Sequence, residues 1–185
     1  ADAPKAAPDP DKPTAPELIS LVRDGAALLE RDGEQAYSEL RTQGSRWFRD
    51  DLYFFVWALD GTRTFYAPDK SAEGQNMTGL EDVLGRPVGR MILEAAQSSA
   101  GEGWVHYMWP EPGGIFPTWK SSFVKRVTLP SGEQRLVGCG LYNMRLDKVM
   151  VEDQVARASA LIASRGREAF PLLRDRTGPF VFMDS

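Results

Sequence analysis

The spacing of apolar residues along this chain switches between a helical and a strand period, and the switches lay out its elements. Over residues 17–44, Leu18, Leu21, Val22, Leu28, Leu29, Ala36 and Leu40 recur at helical spacing behind Pro16, a residue tolerated in a first turn. This predicts one long or once-broken helix. Gly25 and Gly33 are the places for a break, since glycine inside a helix costs about 1 kcal/mol relative to alanine. Residues 52–59 then run Leu-Tyr-Phe-Phe-Val-Trp-Ala-Leu, close on Asp60-Gly61 and resume as Thr-Arg-Thr-Phe-Tyr. Aromatic and β-branched runs on either side of an Asp-Gly pair predict strand, tight turn, strand.

A loop with Pro68, Gly74, Gly79 and Gly85 follows, with a short turn expected at residues 80–84, and residues 88–99 read as a connecting helix ended by Gly101 and Gly103. Residues 104–109 and 119–129 are strand-like around the turn at residues 110–114, and residues 134–142 form the last strand after Pro130-Ser131-Gly132. Leu146, Val149, Met150, Val155, Ala158, Leu161 and Ile162 then return to helical spacing. Hairpin-linked strands with helices before, between and after them predict an α+β domain on an antiparallel five-stranded sheet, not alternating βαβ units.

The chain has 185 residues, 42% hydrophobic and 10% aromatic, enough to build one core without staples. Its single cysteine, Cys139, forms no internal disulfide. A net charge of −4 argues against a nucleic-acid partner. No apolar run approaches the roughly 20 residues needed to span a bilayer. Residues 1–16, rich in Ala and Pro at their start, read as a flexible segment. They suit the stretch left after export-signal cleavage, and equally a linker.

Laying residues 27–52 on residues 160–185, an offset of 133, matches Ala27, Leu28, Gly33, Ala36, Leu40, Arg41 and Asp51 with identical residues. Leu29, Tyr37 and Trp47 meet Ile162, Phe170 and Phe180, of the same chemical type. Residues 160–185 therefore read as the start of a second, truncated unit, whose apolar helix face needs a home on the first domain or on another chain.

Gly103 to Pro110 (Gly-Trp-Val-His-Tyr-Met-Trp-Pro), Lys120 to Arg126 (Lys-Ser-Ser-Phe-Val-Lys-Arg), Val137-Gly138-Cys139-Gly140-Leu141-Tyr142, and the earlier Phe54 to Gly61 closely resemble the second class of single Cache domains. The resemblance covers approximately residues 17–165. It departs where family members often carry a His-Pro pair and this chain has Tyr66-Ala67-Pro68. The resemblance implies a PAS-like antiparallel sheet with a long N-terminal helix, located outside the cytoplasmic membrane, periplasmic or secreted, on chemoreceptors, histidine kinases and related signalling proteins. It also implies binding of a short carboxylate or similar metabolite.

Strand alternation puts Val105, Tyr107 and Trp109 on one face of their strand, and Lys120, Ser122, Val124 and Arg126 on one face of the next. An aromatic wall with a few donors suits a small carboxylate, so Tyr107, Trp109, Lys120 and Ser122 are the candidate ligand contacts, with Tyr53, Tyr66 and Arg90 in support. His106, the only histidine, leaves little scope for acid–base triads or multi-histidine metal sites. No phosphate loop or nucleophile elbow occurs, and neither catalysis nor a cofactor is expected. The rival expectation is a Cache scaffold without a metabolite, a structural or interaction module that pairs with a second copy or a signalling partner through its terminal helices.

Overall fold

The computed structural model describes residues 11–183, so most of the segment expected to be flexible, residues 1–10, lies outside the described residues. Helix α1 (Ala15–Asp32) starts on a reciprocal cap: the Thr14 hydroxyl accepts from the Glu17 amide and the Glu17 carboxylate accepts from the Thr14 amide at 2.9 Å. It runs through Gly25, where a Cβ would stand 2.5 Å from Cε1 of Phe54, so glycine lets the helix lie close on the sheet. It stops at Gly33, whose φ of 61° favours glycine. A 3-10 turn (Gly33–Ala36) and the short α2 (Tyr37–Leu40) continue the chain, so the helix is broken once, at the second glycine.

The strands are β1 (Tyr53–Ala58), β2 (Arg63–Tyr66), β3 (Glu102–Pro110), β4 (Pro117–Thr128) and β5 (Gln134–Tyr142). They pair antiparallel throughout in the order β2-β1-β5-β4-β3, which places the first strand beside the last at the sheet centre. Helix α3 (Val88–Gln97) lies between β2 and β3, and α4 (Lys148–Arg165), a 3-10 turn (Gly166–Glu168) and α5 (Ala169–Leu173) follow the sheet. This is the expected PAS-like α+β architecture.

Alternation along the strands, with one register shift between β1 and β2, divides the interior in two. One face, with Phe54, Val56, Phe65, Trp104, Phe123, Val137 and Leu141, packs beneath Leu18, Val22 and Leu29 of α1. The other, with Phe55, Trp57, Val105, Tyr107, Val124 and Leu136, packs beneath Val88, Met91, Ile92 and Ala95 of α3. Each large side chain so buried stabilises the fold by roughly 1.5–3 kcal/mol relative to exposure. Helix α4 is tied to β3 by polar bonds: the Asp153 carboxylate accepts from the Trp104 amide at 3.2 Å and Arg157 donates to the Trp104 carbonyl at 2.7 Å. Beyond α5 the chain folds back, stacking Phe182 on His106 with ring centroids 4.0 Å apart. Among the described residues no helix is long and apolar enough to cross a membrane.

Candidate functional site

Between the sheet and α3 the packing leaves a cavity of about 30 Å³, small beside the ~150 Å³ of an apolar cavity that holds benzene. Tyr53, Phe55 and Trp57 of β1, Tyr107 and Trp109 of β3 and Lys120 of β4 form its floor. Met77 and Leu80 of the covering loop, with Val88 and Ile92 of α3, form its roof, and Arg63 and Tyr66 of β2 close one side.

Glycines in β5 allow this floor to exist. A Cβ on Gly140 would lie 2.3 Å from Oγ of Ser122 and 3.0 Å from Cε of Lys120, and one on Gly138 would lie 2.4 Å from Cζ of Phe55. Gly140→Ala should therefore destabilise the domain by about 1–3 kcal/mol through overpacking. A urea midpoint equal to the parent's would show that the neighbouring strand yields instead.

Lys120 is almost completely buried. Its Nζ donates to the Tyr53 hydroxyl at 2.6 Å and lies 3.9 Å from that ring's centroid. The Tyr142 hydroxyl donates to the Pro110 carbonyl at 2.8 Å and lies 3.1 Å from the Tyr53 hydroxyl. With that proton committed, the Tyr142 oxygen is the acceptor for Tyr53, and the Tyr53 oxygen is left to accept from Lys120. An ammonium carries three donors, and only this one bond engages it among the described residues. Burial pushes its pKa down to about 7. The acid whose charge reaches it, Asp51, is already paired with Lys12 at 2.6 Å. Among the described residues, then, the buried amine keeps donors to spare and pairs with no carboxylate.

The structure brings together Tyr53, Tyr66, Tyr107, Trp109 and Lys120 of the residues anticipated from sequence. Ser122 stands behind them, its Oγ 2.9 Å from the Tyr107 hydroxyl, and supports that ring without lining the cavity. Arg90 does not belong to the set. Helix α3 turns Val88, Met91, Ile92 and Ala95 inward, and helical periodicity sends Arg90 to the exposed side, into a separate groove with Glu94 and Ser98.

Arg63 is the residue that sequence reading missed. Its guanidinium donates to the Ala72 carbonyl at 2.9 and 3.0 Å and to Oε1 of Gln75 at 3.1 Å, and it lies 4.4 Å from the Tyr66 ring centroid. It thus stitches the covering loop to β2 and adds a second positive charge to the cavity wall. Regular alternation puts Arg63 and Phe65 on one face, but the register shifts between Val56 and Trp57, so Arg63 opposes Trp57 and joins the cavity side. No sequence signal marks that bulge.

The covering loop is held at its other end by Asp82, whose carboxylate accepts from the amides of Leu84 at 2.9 Å, Arg86 at 3.0 Å and Met108 at 2.9 Å. His106 lies on the opposite face of the sheet, its Nδ1 2.8 Å from Oγ of Ser121, and burial lowers its pKa to about 3. Cys139 shares that face, and burial pushes its thiol up to about 12. Among the described residues no group of three or more His, Cys, Asp or Glu side chains is arranged to hold a metal.

A covered cavity over the centre of an antiparallel sheet in this strand order defines a PAS-like sensor domain. The chain belongs to the family described as single Cache domain 2, whose model matches residues 24–155. It is 28% identical over 130 residues to the methyl-accepting chemotaxis protein McpP of Pseudomonas putida, a match that takes in 70% of this chain and 22% of that receptor. Among solved structures, one described as the periplasmic sensor domain of a chemotaxis protein aligns with a TM-score of 0.58 and 26% identity, over 69% of this chain and 94% of its own. Another, described as a Cache chemosensory domain with a structural basis for carboxylic acid recognition, aligns with the same TM-score and 24% identity, over 70% of this chain and 92% of its own.

Proposed function

We propose that this chain is an extracytoplasmic sensing module of a signal-transduction protein, and that its cavity binds a short organic acid without transforming it. The observation that supports this reading is the buried Lys120, which among the described residues pairs with no carboxylate and has donors to spare. An isolated buried charge is costly, and a ligand carboxylate would supply the missing negative partner. Arg63 adds to the same electrostatic preference, while Tyr107 and Trp109 offer apolar and aromatic surface for a short carbon chain. The small volume favours the shortest acids, and even these require the loop over residues 66–90 to give way. Ordering of that loop on binding is the route by which the ligand acts on the rest of the molecule, since a ligand shifts an equilibrium only through differential contacts with two states.

Thermal melts against acetate, propionate and their neutral amides test the proposal. Acetate at a hundred times its Kd should stabilise the fold by about 2.7 kcal/mol, raising Tm by roughly 5–10 °C for a chain of this size. Acetamide, of nearly the same shape, should do little. Equal shifts from acetate and acetamide, or none from any acid of two to four carbons at millimolar concentration, would overturn it.

A further inference from the structure

The backbone repeats where the sequence does. Helices α1 (Ala15–Asp32) and α4 (Lys148–Arg165) have 18 residues each and are related by the offset of 133 at both ends. Each opens on a side chain, Thr14 or Asp147, that accepts from a first-turn amide. Each closes on a glycine in the left-handed region, Gly33 at φ 61° or Gly166 at φ 55°. A 3-10 turn and a short helix follow in both copies, with α2 starting at Tyr37 and α5 at Ala169. At the same offset Asp50 and Met183, neither of them glycine, hold φ of 51° and 53°. In the first copy this turn leads directly into β1.

The two helices differ in what covers them. Leu18, Val22, Gly25 and Leu29 of α1 are the buried positions that seat it on the sheet. Their counterparts are Val151, Val155, Ala158 and Ile162, of which Val151, Val155 and Ile162 are 42%, 59% and 40% exposed. Helix α4 reaches the first sheet by a different stripe, through Met150, Asp153, Gln154 and Arg157. It thus carries two faces, one tied to β3 and one that duplicates the sheet-packing face of α1 but, among the described residues, has no sheet beneath it. Arg41 of the first copy donates to the Tyr66 carbonyl at 3.0 Å, pairs with Glu73 and lies 4.6 Å from the Phe65 ring centroid, so it holds β2 in place. Its counterpart Arg174 is exposed, and among the described residues no strand lies against it. The copies are not equivalent everywhere, since Gln154 and Lys148 stand where α1 has Leu21 and Ala15; Gln154 is spent on the first sheet.

We infer that residues 147–183 are the helical layer of a second Cache-type unit, and that the bare face of α4 seats a second antiparallel sheet borne by the same polypeptide beyond Ser185. A second copy of this chain is a poor occupant, because both faces of its own sheet are already covered, by α1 and by α3. Helix α4 then serves as the last helix of one unit and the first of the next, a rigid coupling between two sensing sheets.

Cysteine labelling tests this in two proteins, the 185-residue chain and the complete natural polypeptide, with Val155→Cys and Ile162→Cys as probes and Ala163→Cys as control. Ala163 corresponds to Glu30, which is exposed in the first copy. Both probes should react with a maleimide at the rate of a free thiol in the 185-residue chain and at least ~10-fold slower in the complete polypeptide, while the control reacts alike in both. Carbene footprinting of Val151, Val155 and Ile162 in the unsubstituted proteins should give the same contrast. Equal labelling in the two proteins, protection in the 185-residue chain that grows with its concentration, or a natural polypeptide without a strand-forming segment after Ser185 would overturn the inference.

Discussion

Lys120→Met should give a domain that is more stable than its parent at pH 6 and that no longer answers to carboxylates. The lysine's folded pKa, about 7, lies below its ordinary value of 10.5. Between these values the unfolded chain binds more protons than the folded one, so the parent's stability rises with pH across that window. Below pH 7 both states are charged and the whole penalty stands, on the order of 5 kcal/mol at 1.36 kcal/mol per pH unit. Methionine removes the charge and keeps much of the packing, so a gain of about 1–4 kcal/mol is expected at pH 6, shrinking toward pH 10. Urea midpoints at the two pH values decide the matter, and an advantage independent of pH would show that the lysine's pKa does not change on folding. The same residue governs the ligand: loss of its charge should weaken acetate by about 2–5 kcal/mol, on the order of 100-fold or more. In the parent, affinity should hold steady below pH 7 and fall toward tenfold per unit above it, as the free amine loses its proton. Calorimetric titration at pH 6, 7 and 8 reads both effects.

Gly89→Ala should open the roof of the cavity. The Gly89 amide donates to the Leu80 carbonyl at 3.1 Å, and a Cβ there would lie 1.9 Å from the Met77 carbonyl oxygen and 2.8 Å from that of Thr78. Both obstacles are backbone, so no rotamer change relieves them. Alanine in the first turn of α3 gains about 1 kcal/mol of helix propensity, but the clash costs up to about 3 kcal/mol, and the clash should win. The loop carrying Met77 and Leu80 must lift, lowering Tm by several degrees and weakening acetate by about tenfold. A variant with the parent's melting temperature and affinity would mean that this loop does not depend on its seat against α3.

The strands were legible as aromatic and β-branched runs between turn residues and the helices as apolar residues at helical spacing, and residues 134–142 coincide with β5 as observed. The break in the first helix was legible only as a choice between two glycines. Gly25 is buried against Phe54 and Gly33 has positive φ, a distinction set by the sheet below and by the turn that follows. Strand alternation put Tyr107, Trp109, Lys120 and Ser122 on one side correctly, because β3 and β4 pair without a register shift. Arg63 escaped notice because a bulge in β2 reverses its face, and Arg90 was included although its sequence neighbourhood does not say which side of α3 meets the sheet.

By itself the sequence determined the order of elements, the antiparallel sheet, the Cache resemblance and the repetition at an offset of 133, all properties carried by local spacing and composition. The tertiary structure decided which charges meet. Lys120 is one lysine in a strand until β5 offers glycines at 138 and 140, Tyr53 supplies a hydrogen bond and α3 roofs the cavity it lines. Isolation of a charge depends on what every neighbouring element does or does not bring to it, and such a property has no signature within any one segment.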